Sequence, residues 1–219
     1  MLLLTFDTAT PTITVAVHDG YDVVAASSGE GSMAHGELLA PAIHAALTDA
    51  GASMSDLTDI AVGVGPGPFT GLRVGVVTAL TLGSTLGITT HGVCTLDILA
   101  ADLAQRSKMS GEFLVATDAR RKEVYWAHYW PSDRGGAERL DGPHVSYPAD
   151  LAELHPGMPV QGRGATLYPD VLTVLDGPKD PSAGALASAV ATGSVEELPL
   201  EPLYLRRPDA TPLVLPKQA

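Results

Sequence analysis

The chain has 219 residues, 45% of them hydrophobic but only 5% aromatic, and a formal net charge of −12. An acidic surface repels phosphate backbones, which argues against a dominant nucleic-acid footprint on this chain alone. Cys94 is the only cysteine, so no disulfide framework can form and a reducing compartment is expected. The start, Met1 to Asp7, lacks the basic region and cleavage site of a signal peptide. The most apolar long stretch, Val74 to Ile88, is interrupted by glycine, threonine and serine and reads as too short and too polar for a membrane span. A soluble cytoplasmic protein is expected.

Three strand signals come first: Leu2–Phe6, the alternating run Thr12–Val17, and Asp22–Ala26, the last two joined by the turn signal His18-Asp19-Gly20. Helical periodicity follows from His35 to Ala50, where Leu39, Ile43, Ala46 or Leu47, and Ala50 share a face. Pro41 lies inside this helix and predicts a kink or a later start. A short buried strand is read at Ile60–Val64, then a glycine–proline turn and a helix over Leu72–Leu86. A strand at Ile88–Val93 and a helix at Thr95–Arg106 come next. Beyond Lys108 the pattern restarts weakly, with strands at Glu112–Thr117 and Val124–Trp130 and an Ala-rich helix within Pro181–Ala191.

The order β-β-β-α-β-α-β-α describes a mixed sheet with helices on both faces. It is the order of the ribonuclease-H-like fold, the repeating half of actin-like ATPases. The expected class is therefore an α/β, actin-like (ASKHA) fold with two lobes, the second smaller and degenerate. The divisions are 1–107 for the first lobe, 108–207 for the second, and a disordered tail over 208–219.

The stretch Gly63-Val64-Gly65-Pro66-Gly67-Pro68-Phe69-Thr70-Gly71-Leu72-Arg73-Val74-Gly75 is built to one shape, because proline fixes φ and glycine reaches conformations closed to other residues. It lacks the lysine of a Walker A loop, and Pro68 stands where a dinucleotide fingerprint needs its third glycine. Pro66 and Pro68 also remove two N–H donors that an anion cradle at the helix start would use. In the helix that follows, Gly71, Gly75, Ala79, Gly83 and Gly87 recur every four residues. Each interior glycine costs a helix about 1 kcal/mol relative to alanine. The row permits close approach of a backbone. From the residues alone, that neighbour is either the chain's own sheet or a second protein. Asp7, with Thr8 and Thr10, sits where actin-like ATPases place a phosphate-facing aspartate, or it caps a turn. His35 and His44 lie nine apart and do not form a zinc spacing, and Gly-x-Ser-x-Gly is absent.

Leu4–Val17, His35, the loop Gly63–Gly75 and Thr117–Trp126 (TDARRKEVYW) closely resemble the TsaB (YeaZ) family. Pro68 departs from the family's usual serine. The resemblance implies a non-catalytic subunit in making threonylcarbamoyladenosine beside the anticodon of tRNAs that read ANN codons. Its implied partners are a homologous catalytic subunit, TsaD, and a small ATPase, TsaE, with tRNA met only through the complex. The catalytic paralogue holds a metal with two histidines in a Gly-Val-x-His-x-x-x-His pattern. Here Gly92-Val93-Cys94-Thr95-Leu96-Asp97-Ile98-Leu99 places Thr95 and Leu99 at those positions. No cofactor is therefore expected in this chain, with ATP and metal on the partner subunits. The family's heterodimer uses the two helices of the first lobe, so the resemblance favours a partner for the glycine row. It names His35, Leu39, Ile43, Leu47, Leu72, Gly75, Val76, Ala79 and Gly83 as interface residues and permits a homodimer through the same surface. The rival readings are an actin-like ATPase and, more remotely, a metalloprotease.

Overall fold

The structure is a computed structural model describing residues 1–30, 35–106, 109–132 and 136–206. The tail expected over 208–219 lies outside the described residues. The first sheet begins as an antiparallel meander, β1 (Leu3–Asp7), β2 (Thr12–His18) and β3 (Val23–Glu30). Helix α1 (His35–Asp49) leads to β4 (Asp59–Gly65), which pairs parallel with β1. Helix α2 (Phe69–Leu86) leads to β5 (Thr89–Cys94), parallel with β4, and α3 (Thr95–Arg106) leaves the sheet. The strand order is thus β3-β2-β1-β4-β5, the ribonuclease-H-like arrangement.

The second sheet repeats this plan. Strands β6 (Phe113–Asp118), β7 (Val124–Pro131) and β8 (Ala137–Ser146) form an antiparallel meander. After α4 (Pro148–Leu154), β9 (Pro159–Gln161) joins β6 in parallel; α5 (Arg163–Leu167) and β10 (Thr173–Val174) follow. The order is β8-β7-β6-β9-β10. Two copies of one topology, the second with shrunken crossover elements, make this the two-lobed actin-like fold. Sequence reading passed over β8 to β10 for physical reasons. Strand β8 is broken by Asp141-Gly142-Pro143 and shifts register against β7, while β9 and β10 are only three and two residues long.

The last two elements return to the first lobe. Helix α6 (Ala183–Thr192) packs on β1 and β2, and β11 (Glu197–Leu198) pairs antiparallel with β5 at the edge of the first sheet. Thr5 Oγ1 donates to the Ala183 carbonyl at 2.8 Å, and the Ala183 N–H donates to Thr14 Oγ1 at 3.0 Å. The division expected at 107/108 is therefore crossed by residues 183–198. The result is a stack of α1/α2, first sheet, α3/α6, second sheet and α4/α5. Alternation along β1 sends Leu4 and Phe6 toward α1 and α2, and Leu3 toward α3 and α6, so the strand is buried on both faces. Cys94, Leu96, Leu99 and Leu103 meet Phe113, Val115 and Tyr129 across the lobe boundary.

Helix α1 starts at His35 and continues through Pro41, which is exposed on its outer side, so the later start expected there does not occur. Helix α2 starts at Phe69, three residues earlier than its periodicity predicts, because Pro68 is the N-cap. At 18 residues α2 has the length and apolarity to cross a membrane, contrary to the reading from composition. Here one of its faces is buried against the chain's own sheet.

Candidate functional site

The glycine–proline turn joins β4 to α2. Pro68 adopts φ −61° and ψ 135°, and its carbonyl accepts the Leu72 N–H at 3.1 Å, so the ring suits the N-cap and no needed donor is lost. The glycines serve contact with the chain's own β1–β2 turn. A Cβ at Gly63 would lie 1.7 Å from Asp7 Oδ2, one at Gly67 2.3 Å from the Ala9 carbonyl, and one at Gly71 2.2 Å from the Thr8 carbonyl. A Cβ at Gly75 would lie 2.6 Å from Thr8 Oγ1, and one at Gly83 2.3 Å from Thr90 Cγ2. The glycine row at 71, 75 and 83 is therefore a groove for β4, β5 and the turn between β1 and β2, while Gly87 is the left-handed C-cap of α2.

Asp7 lies at the bottom of this contact with no exposed surface. Its Oδ1 accepts the Ala9 N–H at 2.7 Å, and its Oδ2 accepts the Thr95 hydroxyl at 2.7 Å. Thr95 Oγ1 in turn accepts the Gly65 N–H at 3.2 Å. Burial pushes the Asp7 carboxyl up to about 6; the two hydrogen bonds oppose the rise, and the charge of Asp180 adds to it. Thr8 and Thr10 are buried as well. The Thr8 hydroxyl donates to the Gly71 carbonyl at 2.8 Å, and the Thr10 hydroxyl to the Thr12 carbonyl at 3.3 Å. All three residues suggested as nucleotide-facing are thus engaged within the chain. Leu99 is fully buried in the apolar boundary between the lobes. A hydroxyl committed to Asp7 and a buried leucine form no metal-binding donor pair.

The nine residues expected at a partner interface are corrected by the structure. His35, Leu39, Ile43, Leu47, Leu72, Gly75, Val76, Ala79 and Gly83 are all buried inside the chain. His35 Nε2 lies 2.9 Å from the Thr10 carbonyl. Periodicity identified the buried stripe of each helix, and the stripe faces the sheet. The outer faces carry other residues: Leu38, Pro41 and Ala45 on α1, and Val77 and Leu80 on α2. Val77 is 56% exposed and Leu80 48% on α2, and Leu38 is exposed on α1, which packs beside it.

The rest of the motif organises a strap. Phe69 stacks on Tyr204 with ring centroids 5.3 Å apart, and the Arg73 guanidinium lies 3.9 Å over the Phe69 ring. Arg73 Nε donates to Tyr204 Oη at 3.2 Å, and the Leu203 N–H donates to the Val64 carbonyl at 2.8 Å. Thr70 is exposed at the first turn of α2. Tyr204 and Arg206 were not foreseen, since contacts across more than 80 residues leave no local signal. Thr8, Thr10, His35, Thr70 and Arg120 line a recess of about 170 Å³ at the N-terminal ends of α1 and α2.

With this geometry in view, the comparisons with known proteins are decisive. Residues 29–188 match the family model described as TsaD: tRNA N6-adenosine threonylcarbamoyltransferase. The solved structure of YeaZ from Pseudomonas aeruginosa superposes with a TM-score of 0.75 at 30% identity, covering 93% of this chain and 99% of that one. The chain belongs to the TsaB (YeaZ) family. The tRNA threonylcarbamoyladenosine biosynthesis protein TsaB of Escherichia coli is 38% identical over 138 residues, 62% of this chain and 58% of that protein. An uncharacterized protein of Mycobacterium leprae is 42% identical over 217 residues, 97% of this chain, and the chain spans 56% of its length. In this TsaB-family chain, the motif shared with the family is the part that welds α2 to the β1–β2 turn.

Proposed function

We propose that the chain is a non-catalytic, activating subunit of the cytoplasmic assembly that forms threonylcarbamoyladenosine in tRNAs reading ANN codons. It acts by docking on a TsaD-type catalytic paralogue. The observation that carries this reading is the apolar outer face of α1 and α2, where Leu38, Val77 and Leu80 stand exposed on the lobe that holds the family motif. The reading of this subunit as non-catalytic is supported by Thr95 and Leu99, which are built into the chain's own interior at the positions where the paralogue's ligands belong. The same outer face serves a homodimer when the paralogue is absent. ATP and metal belong to the catalytic and TsaE-type ATPase subunits, and tRNA is met through the complex.

Reconstitution tests this. The chain alone should be inert, and the catalytic subunit with its ATPase should modify tRNA only when the chain is added. Full activity without it would refute the proposal. Size-exclusion chromatography with light scattering, with and without the catalytic subunit, checks the docking step separately.

A further inference from the structure

We propose that the hairpin tip Arg120-Arg121-Lys122, between β6 and β7, contacts the phosphate backbone of RNA in the assembled complex. The inference rests on the reading above that the complex acts on tRNA. The first observation is conformational. Arg120, Arg121 and Lys122 have φ values of 61°, 54° and 64°, three consecutive non-glycine residues in the left-handed region. Residues with a Cβ enter that region singly and at a cost. The surrounding structure holds the tip there. The Arg120 N–H donates to Asp118 Oδ1 at 2.8 Å, and Ala119 and Glu123 are joined through the Ala119 N–H at 3.0 Å. Arg206 Nη1 donates to the Ala119 carbonyl at 2.9 Å and pairs with Glu123. A strained, braced turn made of three cations is a preorganised surface, and strain of this kind concentrates at binding sites.

The second observation is electrostatic. The chain has 13 Lys and Arg against 25 Asp and Glu, and three of those cations stand in a row. All three are exposed, Arg120 with 59% of its side chain open while pairing with Asp118 at 3.4 Å. Of the flanking carboxylates, Asp118 pairs with Arg120 of the row and Glu123 with Arg206 outside it. The third observation is position. Arg120 borders the recess at the starts of α1 and α2, at one end of the proposed docking face. Arg and Lys both contact phosphates, and lysine is depleted in protein–protein interfaces, so Lys122 in the row favours RNA backbone over a protein surface.

The test uses the heterodimer with the catalytic partner and labelled tRNA, measuring affinity by fluorescence anisotropy across a salt series. The double variant Arg121→Ala, Lys122→Ala should weaken binding about tenfold at about 0.1 M salt and flatten the log–log salt slope by about 1 to 2. Arg121→Lys with Lys122→Arg should restore both, and heterodimer affinity should not change. Unchanged affinity and slope would overturn the proposal. Loss of heterodimer affinity with intact tRNA binding would also overturn it and assign the tip to the protein partner. If the wild-type heterodimer does not assemble, the functional reading fails on its own. Where it does assemble, a photo-crosslinker at position 122 within the heterodimer reads the contact directly: RNA adducts support the proposal and their absence refutes it.

Discussion

Asp7 and Asp118 hold the same place in the two halves, each the last residue of its lobe's first strand. Each closes the same small turn, accepting the N–H two residues on, at 2.7 Å from Ala9 and 2.8 Å from Arg120. The resemblance stops there. Asp7 is sealed under Gly63 and held by Thr95, whereas Asp118 is partly open and faces Arg120. The β–α turns that follow are equally parallel. Gly63 and Gly67 press on the β1–β2 turn, and Gly162 and Gly164 press on Ala116 at the end of β6. The next helix has 18 residues in the first lobe and five in the second. One duplicated turn has become core in the first lobe and surface in the second. The lobe that keeps its long helices presents an apolar face, and the lobe that lost them presents charge.

The largest effect that could break this equivalence is steric. Gly63→Ala and Gly162→Ala should each lose more than about 3 kcal/mol in urea denaturation, since both place a methyl inside fixed neighbours. Their Cβ atoms would lie 1.7 Å from Asp7 Oδ2 and 2.4 Å from the Ala116 carbonyl. If Gly162→Ala unfolds like the parent, the two turns are not equivalent. Next comes pH. The Asp7 carboxyl titrates near 6 in the folded chain and at 3.8 as a free group. Between these values folding takes up a proton, so stability falls as pH rises through the window. The loss is about 3 kcal/mol by neutral pH. Asp7→Asn should abolish that slope in denaturation curves from pH 4 to 7, while Asp118→Asn should change stability by less than about 1 kcal/mol. A persistent slope in Asp7→Asn would move the titration elsewhere.

Two smaller effects sharpen the contrast of surfaces. Val77→Arg or Leu80→Arg should weaken the heterodimer at least about tenfold, while stability stays within about 0.5 kcal/mol, as for exposed positions generally. Equal affinity of parent and variant by calorimetry would clear the α2 face of any docking role. Arg121→Gly should stabilise the isolated chain by up to about 1 kcal/mol, because glycine takes φ 54° without strain. A destabilised variant would show that the arginine side chain supports the fold.

Much of the first lobe was legible in the sequence, because its strands and helices are long enough to show their periods. The Gly63–Gly75 motif was likewise visible, but what it touches was not. A glycine row says that a backbone comes close, and only the fold says that this backbone belongs to the β1–β2 turn. The same limit applies to the residues expected at a partner: Leu39, Ile43 and Val76 are the periodic residues because they face the core. The exposed Leu38, Val77 and Leu80 lie off the buried stripe and are told from it only once burial is known. In the second lobe, β9 and β10 are too short to carry a pattern.

Among the described residues, the first sheet is finished by the last strand, β11. Because α6 and β11 come from residues 183–198 and seat on β1, β2 and β5, residues 1–107 alone leave one edge of their sheet open and one face covered only in part, by α3. The first lobe must wait for the second to be made before it can close. Cutting the chain between the lobes would therefore leave the first sheet without α6 and β11.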